Sequence, residues 1–342
     1  MLRLADEALG NGATDRALAL LGRARTLEAS AAQRYAIGVA LLRASNGCLG
    51  WDLYDLHPSR PADRLPRVQR WSGERCGLLI VLAEQGYGDA IQFLRFVPLV
   101  VERAESVVVA VHDELLDVVA SSPLLRGCTV MSKSTARRTR WPSEARWERL
   151  MSVPARIGDP KVWAAGPYLR VDAVGGPVLP PAPPGCLTIG VAWRSTPRRG
   201  FPNRSFPVRL VQELVVPGQS RAIPLHRNKD MRTVPKDASA VQIENLVETA
   251  RVIVQCDYVV TSDTVTAHLA PALGTPTLIC LRHRADWRWG TPHRPTRWYA
   301  MAELLFQDQS GTWAPVLSAA ARRILNGATG WRRTTVTAAS GK

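Results

Sequence analysis

Hydrophobic and polar residues alternate in two different patterns along the chain. Residues 3–29 carry apolar side chains at helical spacing, in two runs that Gly10-Asn11-Gly12 separates, and the next run predicts a helix over Ala31–Ala44. From Cys76 onward, short apolar runs alternate with amphipathic segments, which is typical of a parallel sheet covered by helices. The pattern therefore predicts a short helical segment followed by an α/β body.

The first α/β half is expected between residues 76 and 174. Leu78–Ala83 reads as a buried strand, Asp89–Arg103 as a helix and Val107–Val111 as the next strand, which together make a βαβ unit. Residues 175–185, GGPVLPPAPPG, then hold five prolines in eleven residues, too many for a helix or a strand. This proline-rich segment marks the expected boundary between two halves.

The same alternation restarts after the proline-rich segment. Strands are predicted at Leu187–Ala192, Ala222–Leu225, Tyr258–Thr261 and Thr277–Leu281, and helices at Pro207–Val216, Ile243–Gln255, Thr264–Leu273 and Trp313–Leu325. The expected organisation is tetratricopeptide-like helices at 1–45, a linker at 46–75, one α/β half at 76–174, the proline-rich linker at 175–185, a second half at 186–326 and a disordered tail at 327–342.

Composition narrows the class of protein. Among 342 residues, 44 Lys and Arg against 29 Asp and Glu give a net charge of +15, which attracts nucleic acid, an anionic membrane surface or a phosphorylated substrate. No apolar run reaches the ~18 to 20 residues that span a bilayer, and the N-terminus lacks a secretory layout, so we expect a cytoplasmic protein. The six cysteines are widely spaced, which excludes paired zinc or redox motifs.

The first candidate site is the segment 84–89, Glu-Gln-Gly-Tyr-Gly-Asp, between a predicted strand and a predicted helix. Its two glycines let the backbone approach a ligand, and the helix beyond them begins with unpaired N–H groups. Asp89 is expected in the first turn, where it either caps the helix or acts on a ligand. Gln92 lies three residues further on and shares its face.

A second candidate site is the hydroxyl-rich segment Thr261–His268, which follows a predicted strand and opens a predicted helix. Asp263 could accept hydrogen bonds from sugar hydroxyls, and Thr264 and Thr266 could donate to phosphate oxygens. His268 falls one turn inside the same helix. The alternative interpretation is an ordinary helix cap beside a buried histidine.

Two basic runs leave further alternatives open. Trp193–Arg199 follows the strand that ends at Ala192, where cations are well placed to neutralise a diphosphate leaving group, although such a run is also common in solvated loops. Later in the chain, arginines interleave with aromatic residues between Arg282 and Tyr299. That second run also suits a single-stranded nucleic acid, but no nucleic-acid-binding motif accompanies it.

Three segments carry a resemblance to a known family. LAEQGYGDAIQFLRFVPLV, IGVAWRSTP and SDTVTAHLAPALGTP resemble the C-terminal domain of bacterial tetratricopeptide-repeat glycosyltransferases related to glycosyltransferase family nine, the ADP-heptose lipopolysaccharide heptosyltransferases. Gly50–Tyr54, Trp71–Gly73 and the ADWRW segment at 285–289 resemble flanking parts of such proteins. The resemblance covers about residues 50–325.

The resemblance implies a GT-B architecture, in which two Rossmann-like domains face a cleft, and an inverting, metal-independent glycosyltransferase. It requires no cofactor, and a nucleotide sugar is the co-substrate. By this likeness Asp89 corresponds to the general base. The implied donor-binding residues are Gly86, Gly88, Arg194, Ser195, Asp263, Thr264, Thr266 and His268, and the implied acceptor or cleft residues are Gln85, Gln92 and Arg95.

Some positions depart from the family pattern. Trp193 is followed by RSTPRRGFPNRS, one residue shorter than in related sequences and without their histidine and aspartate, and Pro224-Leu225-His226 stands where Ser-Leu-Gln is expected. The alternative function is therefore a catalytically inactive GT-B-like binding or scaffold protein, a degenerate paralogue. The expected partners are a nucleotide-sugar donor, a glycan, lipid-linked or protein acceptor and an anionic membrane at its cytoplasmic face. Nucleic acid is the least favoured partner.

Overall fold

Two parallel five-stranded sheets, each accompanied by helices, form the body of the protein, and short N-terminal helices pack beside them. The structure is a computed structural model that describes residues 1–45, 47–57, 64–158, 166–172, 175–196, 203–227, 241–292 and 296–327. The predicted tail beyond Gly327 and the connector prolines Pro58 and Pro61 lie outside the described residues. The prediction of an α/β protein with two halves is confirmed.

The N-terminal helices follow the predicted breaks. They are α1 (Leu2–Gly10), α2 (Thr14–Arg25), α3 (Ala31–Ala44) and α4 (Trp51–Tyr54). Helix α3 begins where predicted because the Ser30 hydroxyl accepts a hydrogen bond from the Gln33 backbone N–H, while the Ser30 backbone N–H donates to the Gln33 side-chain oxygen. Since α3 packs against residues 287–289 and Tyr54 contacts Trp287, these helices bury their apolar face on the second half of the chain. Their likeness to a tetratricopeptide unit stays a prediction.

In the first sheet the chain adds strands first on one side of the central strand and then on the other. Its strands are β1 (Gln69–Arg70), β2 (Cys76–Leu82), β3 (Ala104–Val111), β4 (Thr129–Ser132) and β5 (Arg146–Arg149), all paired in parallel in the order β1-β5-β2-β3-β4. From β2 the chain adds β3 and β4 on one side and later β5 on the other. A reversal of this kind is a topological switch point, and α/β proteins bind ligands outside the carboxyl ends of the strands beside it.

The predicted helix Asp89–Arg103 is wrong as a single element. The segment folds instead as α5 (Tyr87–Phe93), a 3-10 turn at Leu94–Phe96 and α6 (Val97–Val101). Pro98 explains the break, because proline lacks the N–H that a continuing helix needs and is favoured near a helix start. The other helices of this half are α7 (Leu116–Val119), α8 (Lys133–Arg138) and α9 (Val153–Ile157).

The second sheet repeats this design. Its strands are β6 (Leu187–Ala192), β7 (Ser220–Pro224), β8 (Tyr258–Ser262), β9 (Thr277–Leu281) and β10 (Ala302–Phe306), in the parallel order β10-β9-β8-β6-β7. The switch point lies between β6 and β8. The order matches the flavodoxin-like doubly wound arrangement. Its α-helices in the described chain are α10 (Leu246–Ile253), α11 (Thr266–Ala272) and α12 (Ala314–Leu325).

The predicted α-helix at Pro207–Val216 is also wrong, because Val208–Leu214 forms a 3-10 helix. Val208, Val211 and Leu214 recur every three residues, and Val211 and Leu214 are buried. That spacing matches the three residues per turn of a 3-10 helix better than the 3.6 of an α-helix.

The late aromatic run belongs to the core. Trp287, Trp289, Trp298 and Tyr299 are between 1% and 6% exposed. Trp51 packs edge-on against Trp287, and Phe93 packs against Trp298, so this cluster joins the N-terminal helices and both halves. These rings present no face on which nucleic-acid bases could stack, which removes the main argument for that partner.

Candidate functional site

The predicted site residues lie at the switch points of both sheets. Residues 84–89 follow β2, residues 193–195 follow β6, and residues 262–268 follow β8. The two halves meet directly here: a Cβ atom added to Gly88 of α5 would lie only 2.5 Å from the His268 Cδ2 atom of α11. Only glycine allows this approach, so the first and second candidate sites form one interdomain site.

Asp89 connects the two halves through one carboxylate oxygen and is oriented within its own half through the other. It occupies the first turn of α5, as predicted, and its Oδ2 atom accepts a hydrogen bond of 2.9 Å from the Gly86 N–H. Its Oδ1 atom makes a close ion pair with Arg288 of the second half. The side chain is 20% exposed, so this carboxylate is held in one orientation at the edge of a largely buried site.

Arg288 is a site residue that the sequence interpretation placed only within an arginine- and tryptophan-rich run. It is 7% exposed, pairs with Asp286 at 2.7 Å and lies 3.5 Å from the Tyr54 hydroxyl. Its guanidinium also stacks 4.7 Å from the centre of the Trp287 ring. Burial lowers the pKa of Arg288, but Asp286 and Asp89 outweigh burial and hold that pKa well above its ordinary value.

Asp263 is buried at the end of β8, with 7% exposure. Burial raises the pKa of its carboxyl group, and the attraction of Arg204, whose NH1 atom lies 3.0 Å from Oδ2, only partly opposes this. Thr264 lies beside it, with its hydroxyl 3.3 Å from that of Thr261. Thr266 is buried at the first position of α11. A carboxyl group that is buried although burial disfavours its charged form is typical of a functional position.

The surroundings of His268 favour the neutral form of its side chain. Burial lowers its pKa well below 6.5, and the positive charges of Arg288, Arg95 and Arg204 lower it further. Its Nδ1 atom is 3.0 Å from the Tyr299 hydroxyl, and its ring stacks on Trp289 at 5.0 Å. The imidazole can therefore exchange hydrogen bonds with a ligand but carries no charge to it.

Arg95 and Gln92 differ in how many of their side-chain polar atoms have hydrogen-bond partners in the protein. Arg95 is 1% exposed, donates to the Gln92 carbonyl oxygen at 2.7 Å and to the Tyr168 hydroxyl at 3.2 Å, and also donates to the Trp298 carbonyl. Gln92 is completely buried, yet neither atom of its side-chain amide has a hydrogen-bond partner among the described residues. Because Gln92 lies four residues after Gly88, it shares the face of α5 that meets α11.

Gln85 has a strained backbone immediately before α5. Its φ angle of 61° is the only positive value at a non-glycine residue in the described part of the chain. Its carbonyl oxygen accepts from the His112 Nε2 atom at 3.0 Å, which assigns the proton to that nitrogen. Backbone strain of this kind occurs preferentially at functional sites, because the surrounding structure must stabilise it.

The polar groups of the loop after β6 mainly form hydrogen bonds that stabilise the loop. The Trp193 and Arg194 N–H groups donate to the His226 Nε2 atom at 3.1 and 3.3 Å. Ser195 is 3% exposed, and its N–H donates to the Ser205 hydroxyl at 2.9 Å. Ser195 therefore positions this loop, and Arg194 lies half-buried at its start. Residues 197–202 of the same predicted site lie outside the described residues.

Buried polar atoms without a partner gather around these strand ends. Among the described residues they include Gln85 Nε2, both amide atoms of Gln92, Ser262 Oγ and Arg288 Nε. Native proteins leave few buried polar groups unpaired, since each costs about 1–3 kcal/mol. Their concentration at the facing switch points indicates that a polar ligand belongs to the site.

A cavity of about 620 Å³ lies between the two halves beside this site. Asp113, Glu114 and Asp117 line it from the first half, and Arg227 and Arg251 from the second. Arg227 pairs with Glu114 across it at 3.2 Å. Glu114 also hydrogen-bonds the Tyr87 hydroxyl, so the cavity adjoins the start of α5, and burial together with Glu114 raises the pKa of that hydroxyl. Its volume is within the range of small-molecule sites.

Two features are absent from the described part of the chain. No helix in this part of the chain is long and apolar enough to cross a membrane. The same residues contain no group of three or more His, Cys, Asp or Glu side chains placed to hold a metal ion.

Two Rossmann-like halves that face each other at their switch points define the GT-B fold class, as the sequence predicted. No protein-family profile matches the chain. Protein FlbA of Caulobacter vibrioides is 26% identical over 336 residues, which cover 84% of this chain and 54% of that protein. The chain thus spans about half the length of this curated relative.

Solved structures of glycosyltransferases are similar to the chain at low sequence identity. A family 9 glycosyl transferase from Veillonella parvula aligns with a TM-score of 0.47 and 12% identity, over 70% of this chain and 88% of that one. The E. coli heptosyltransferase WaaC with ADP-2-deoxy-2-fluoro heptose aligns with a TM-score of 0.46 and 11% identity, over 72% and 98%. Both scores are below 0.5, so the fold class rests on the strand order of this chain.

Proposed function

We propose that the chain is an inverting glycosyltransferase, which moves a sugar from a nucleotide-sugar donor to a hydroxyl group of an acceptor. One observation carries this proposal: at the facing switch points Asp89 of one half pairs with Arg288 of the other, where Arg204 pairs with the buried Asp263, among buried polar atoms that lack a partner in the described chain. A nucleotide sugar offers the hydroxyl groups and phosphate oxygens that such a site can bind.

The second half would bind the donor. Asp263 would accept hydrogen bonds from hydroxyl groups of the sugar, and Thr264 and Thr266 would donate to phosphate oxygens. Arg204 and Arg288 would balance the charge that develops on the departing nucleoside diphosphate, because guanidinium groups pair well with phosphate oxygens. In this proposal the arginines do the work that a metal ion does in other transferases.

Asp89 would act as the general base from the first half. Its carboxylate would take the proton of the acceptor hydroxyl while that oxygen attacks the anomeric carbon and the bond to the diphosphate breaks. A single displacement of this kind inverts the configuration at the sugar carbon. The Gly86 N–H, at 2.9 Å, would keep the carboxylate oriented during the reaction.

Incubation with a panel of nucleotide sugars tests this proposal, with release of nucleoside diphosphate as the readout. The wild-type chain should turn over at least one donor, and Asp89→Ala should lower the rate by about 10²- to 10⁴-fold. Asp52→Ala is the matched control, because Asp52 pairs with Arg25 at 2.7 Å in a half-exposed position away from the site. If no donor binds or turns over under any condition, the proposal fails.

A second candidate is a catalytically inactive binding protein that keeps the GT-B shell. Its support is the tight packing of Gly88 against His268, together with the engagement of both Asp89 oxygens by protein groups. The altered loop after Trp193 agrees with this candidate. Donor binding without turnover, and without any effect of Asp89→Ala on product release, would favour it over the enzyme.

The acceptor is proposed to be a glycan, a lipid-linked glycan or a protein, with the chain docked on an anionic membrane at its cytoplasmic face. Arg137, Arg138 and Arg140 are exposed at and just beyond the end of α8 and would face the lipid. Liposome flotation should show a preference for anionic over neutral vesicles. Equal recovery with both vesicle types would contradict the membrane contact.

A further inference from the structure

We propose that Arg288 is an anion-operated gate on Asp89: the diphosphate of a bound donor takes the guanidinium away from the carboxylate and so releases the base only when donor is present. This inference rests on the proposed function and adds a control element to the same site. It concerns an exchange of ion pairs, in which no covalent bond forms or breaks.

The position of Arg288 connects the three parts of the molecule. Its side chain contacts Asp89 of the first half, Asp286 of its own turn and Tyr54 of the N-terminal helices. Its Nε–H group is buried and has no hydrogen-bond partner among the described residues. The guanidinium therefore has donor capacity left for an oxygen atom that the described chain does not supply.

The ion pairs of the site show which protein carboxylates a bound anion would compete with. Arg204 is paired with Asp263 at 3.0 Å, and Arg288 is paired with Asp89 and Asp286. The buried arginines among the described residues, Arg95 and Arg288, each have a carbonyl or carboxylate partner. The Nε–H of Arg288 can donate to an oxygen of the diphosphate without competition, but a diphosphate that also binds the NH2 group must compete with Asp89 for it.

The pair most exposed to this competition is the one between the halves. Asp286 lies two residues from Arg288 on the same turn, where its Oδ1 atom also accepts the Arg288 backbone N–H at 3.1 Å, so these two move together. Asp89 belongs to the opposite half. A ligand that binds between the halves would therefore separate Arg288 from Asp89 before it separates Arg288 from Asp286.

Release from Arg288 would leave Asp89 ready to act. Its Oδ2 atom keeps the hydrogen bond from the Gly86 N–H, so the carboxylate stays in the same rotamer. Its Oδ1 atom becomes available to the acceptor hydroxyl. In the absence of donor the same atom is engaged, which would keep the chain from activating an acceptor or water without a sugar to transfer.

Calorimetric titration with ADP, UDP and inorganic pyrophosphate tests the gate in wild-type chain and in Asp89→Asn. Asparagine keeps an acceptor for the Gly86 N–H but removes the charge that competes for Arg288. The gate predicts that Asp89→Asn binds at least one of these anions about tenfold more tightly than wild type, which is the range of one charge-assisted hydrogen bond. Loss of the repulsion between Asp89 and the anion would also tighten binding, but that gain would persist when Arg288 is replaced, whereas a gain that depends on the release of Arg288 would not.

Three further measurements keep the result interpretable. Asp52→Asn removes an equal charge outside the site and should leave anion affinity unchanged. Arg288→Gln added to Asp89→Asn should abolish the gain. If Asp89→Asn does not fold, Asp89→Ser, which also removes the charge, replaces it in the same titration.

Equal or weaker anion binding by the Asp89 variants would overturn the gate. That outcome differs from failure of the proposed function, in which neither wild type nor variant binds any nucleotide or nucleotide sugar. Binding by Asp89→Asn alone, with none by wild type, would support the gate in its strongest form.

Discussion

Two buried groups of charged side chains stabilise different parts of the molecule, and they are built in opposite ways. The β5 cluster consists of Asp55, Arg70, Glu148 and Arg156, which form a closed ring of ion pairs between 2.5 and 2.9 Å. Ser152 adds a hydrogen bond to Asp55 at 2.5 Å. Burial raises the pKa of Asp55, but Ser152, Arg156 and Arg70 outweigh burial and lower it.

The switch-point cluster consists of Asp89, Asp263, Asp286, Arg204 and Arg288. Its members do not satisfy all of one another's charges and hydrogen-bonding groups. Here burial raises the pKa of Asp263 despite Arg204, and the Arg288 Nε atom lacks a partner in the described chain. The protein therefore satisfies the β5 cluster by itself, as a structural network requires. The switch-point cluster needs something more, which is what distinguishes a ligand site from a structural ion network.

The largest effect is expected at Glu148, which is completely buried. Glu148→Gln removes one charge of the ring and leaves Arg70 and Arg156 incompletely paired, which should lower the free energy of unfolding by about 3–5 kcal/mol. Denaturant titration measures this loss. The matched control is Glu303→Gln, which breaks the exposed pair with Arg323 and should cost less than about 1 kcal/mol. Similar losses in both variants would contradict a structural role for the β5 cluster.

The next effect tests how closely the halves meet at the switch points. Gly88→Ala places a methyl group against His268, which Tyr299 and Trp289 hold in place, and overpacking of this kind typically costs about 1–3 kcal/mol. Gly22→Ala is the control, because Gly22 lies inside α2 with nothing within 4 Å of an added Cβ. That change should stabilise the chain by about 0.5–1 kcal/mol. Gains in both variants would contradict the close contact.

A pH titration isolates the contribution of His268. Its folded-state pKa is well below 6.5, so below pH 6.5 the unfolded chain binds a proton that the folded chain does not. Stability should therefore fall with pH in that range, by at most about 1.4 kcal/mol per pH unit from this residue. His268→Gln should show a shallower decline between pH 6.5 and 5. Parallel curves would mean that His268 is not held neutral.

The smallest effects should have opposite signs in the two clusters. The lowered pKa of Asp55 stabilises the fold above 3.8, and this advantage over Asp55→Asn should disappear as the pH falls below that value. The raised pKa of Asp263 does the reverse, so wild type should gain stability relative to Asp263→Asn as the pH falls towards 3.8. Unfolding curves of wild type, Asp55→Asn and Asp263→Asn in acid would show whether the signs differ. Equal signs would remove the contrast between the clusters.

The sequence predicts the central strands well because they are buried on both faces. β6 and β9 begin and end at the predicted residues, since continuous apolar runs define them. The strands β5 and β10 were missed for identifiable reasons. β5 reads RWER and carries the buried Glu148, whose charge only its ion-pair partners explain, and β10 is half-buried along its whole length. Hydropathy alone cannot identify such strands.

The same limit applies to the site. Asp89, Asp263 and His268 follow apolar strands in local motifs, so their positions could be predicted, although their roles stay proposals. The place of Arg288 in the site could not be predicted, because it depends on contacts with Tyr54 and Asp89, which are distant from it in sequence. The Asp286-Trp287-Arg288 spacing offered one signal, since an acidic residue two positions before an arginine can both start a turn and bind its guanidinium.

Hydrogen–deuterium exchange with a saturating nucleotide sugar tests most directly whether the two switch points form one ligand site. The account predicts that the bound donor slows exchange in residues 87–93 of the first half and in residues 262–268 of the second at the same time. The β5 cluster, which the protein completes by itself, should show no change. Protection of only one of the two segments, or of neither at saturation, would contradict the shared site.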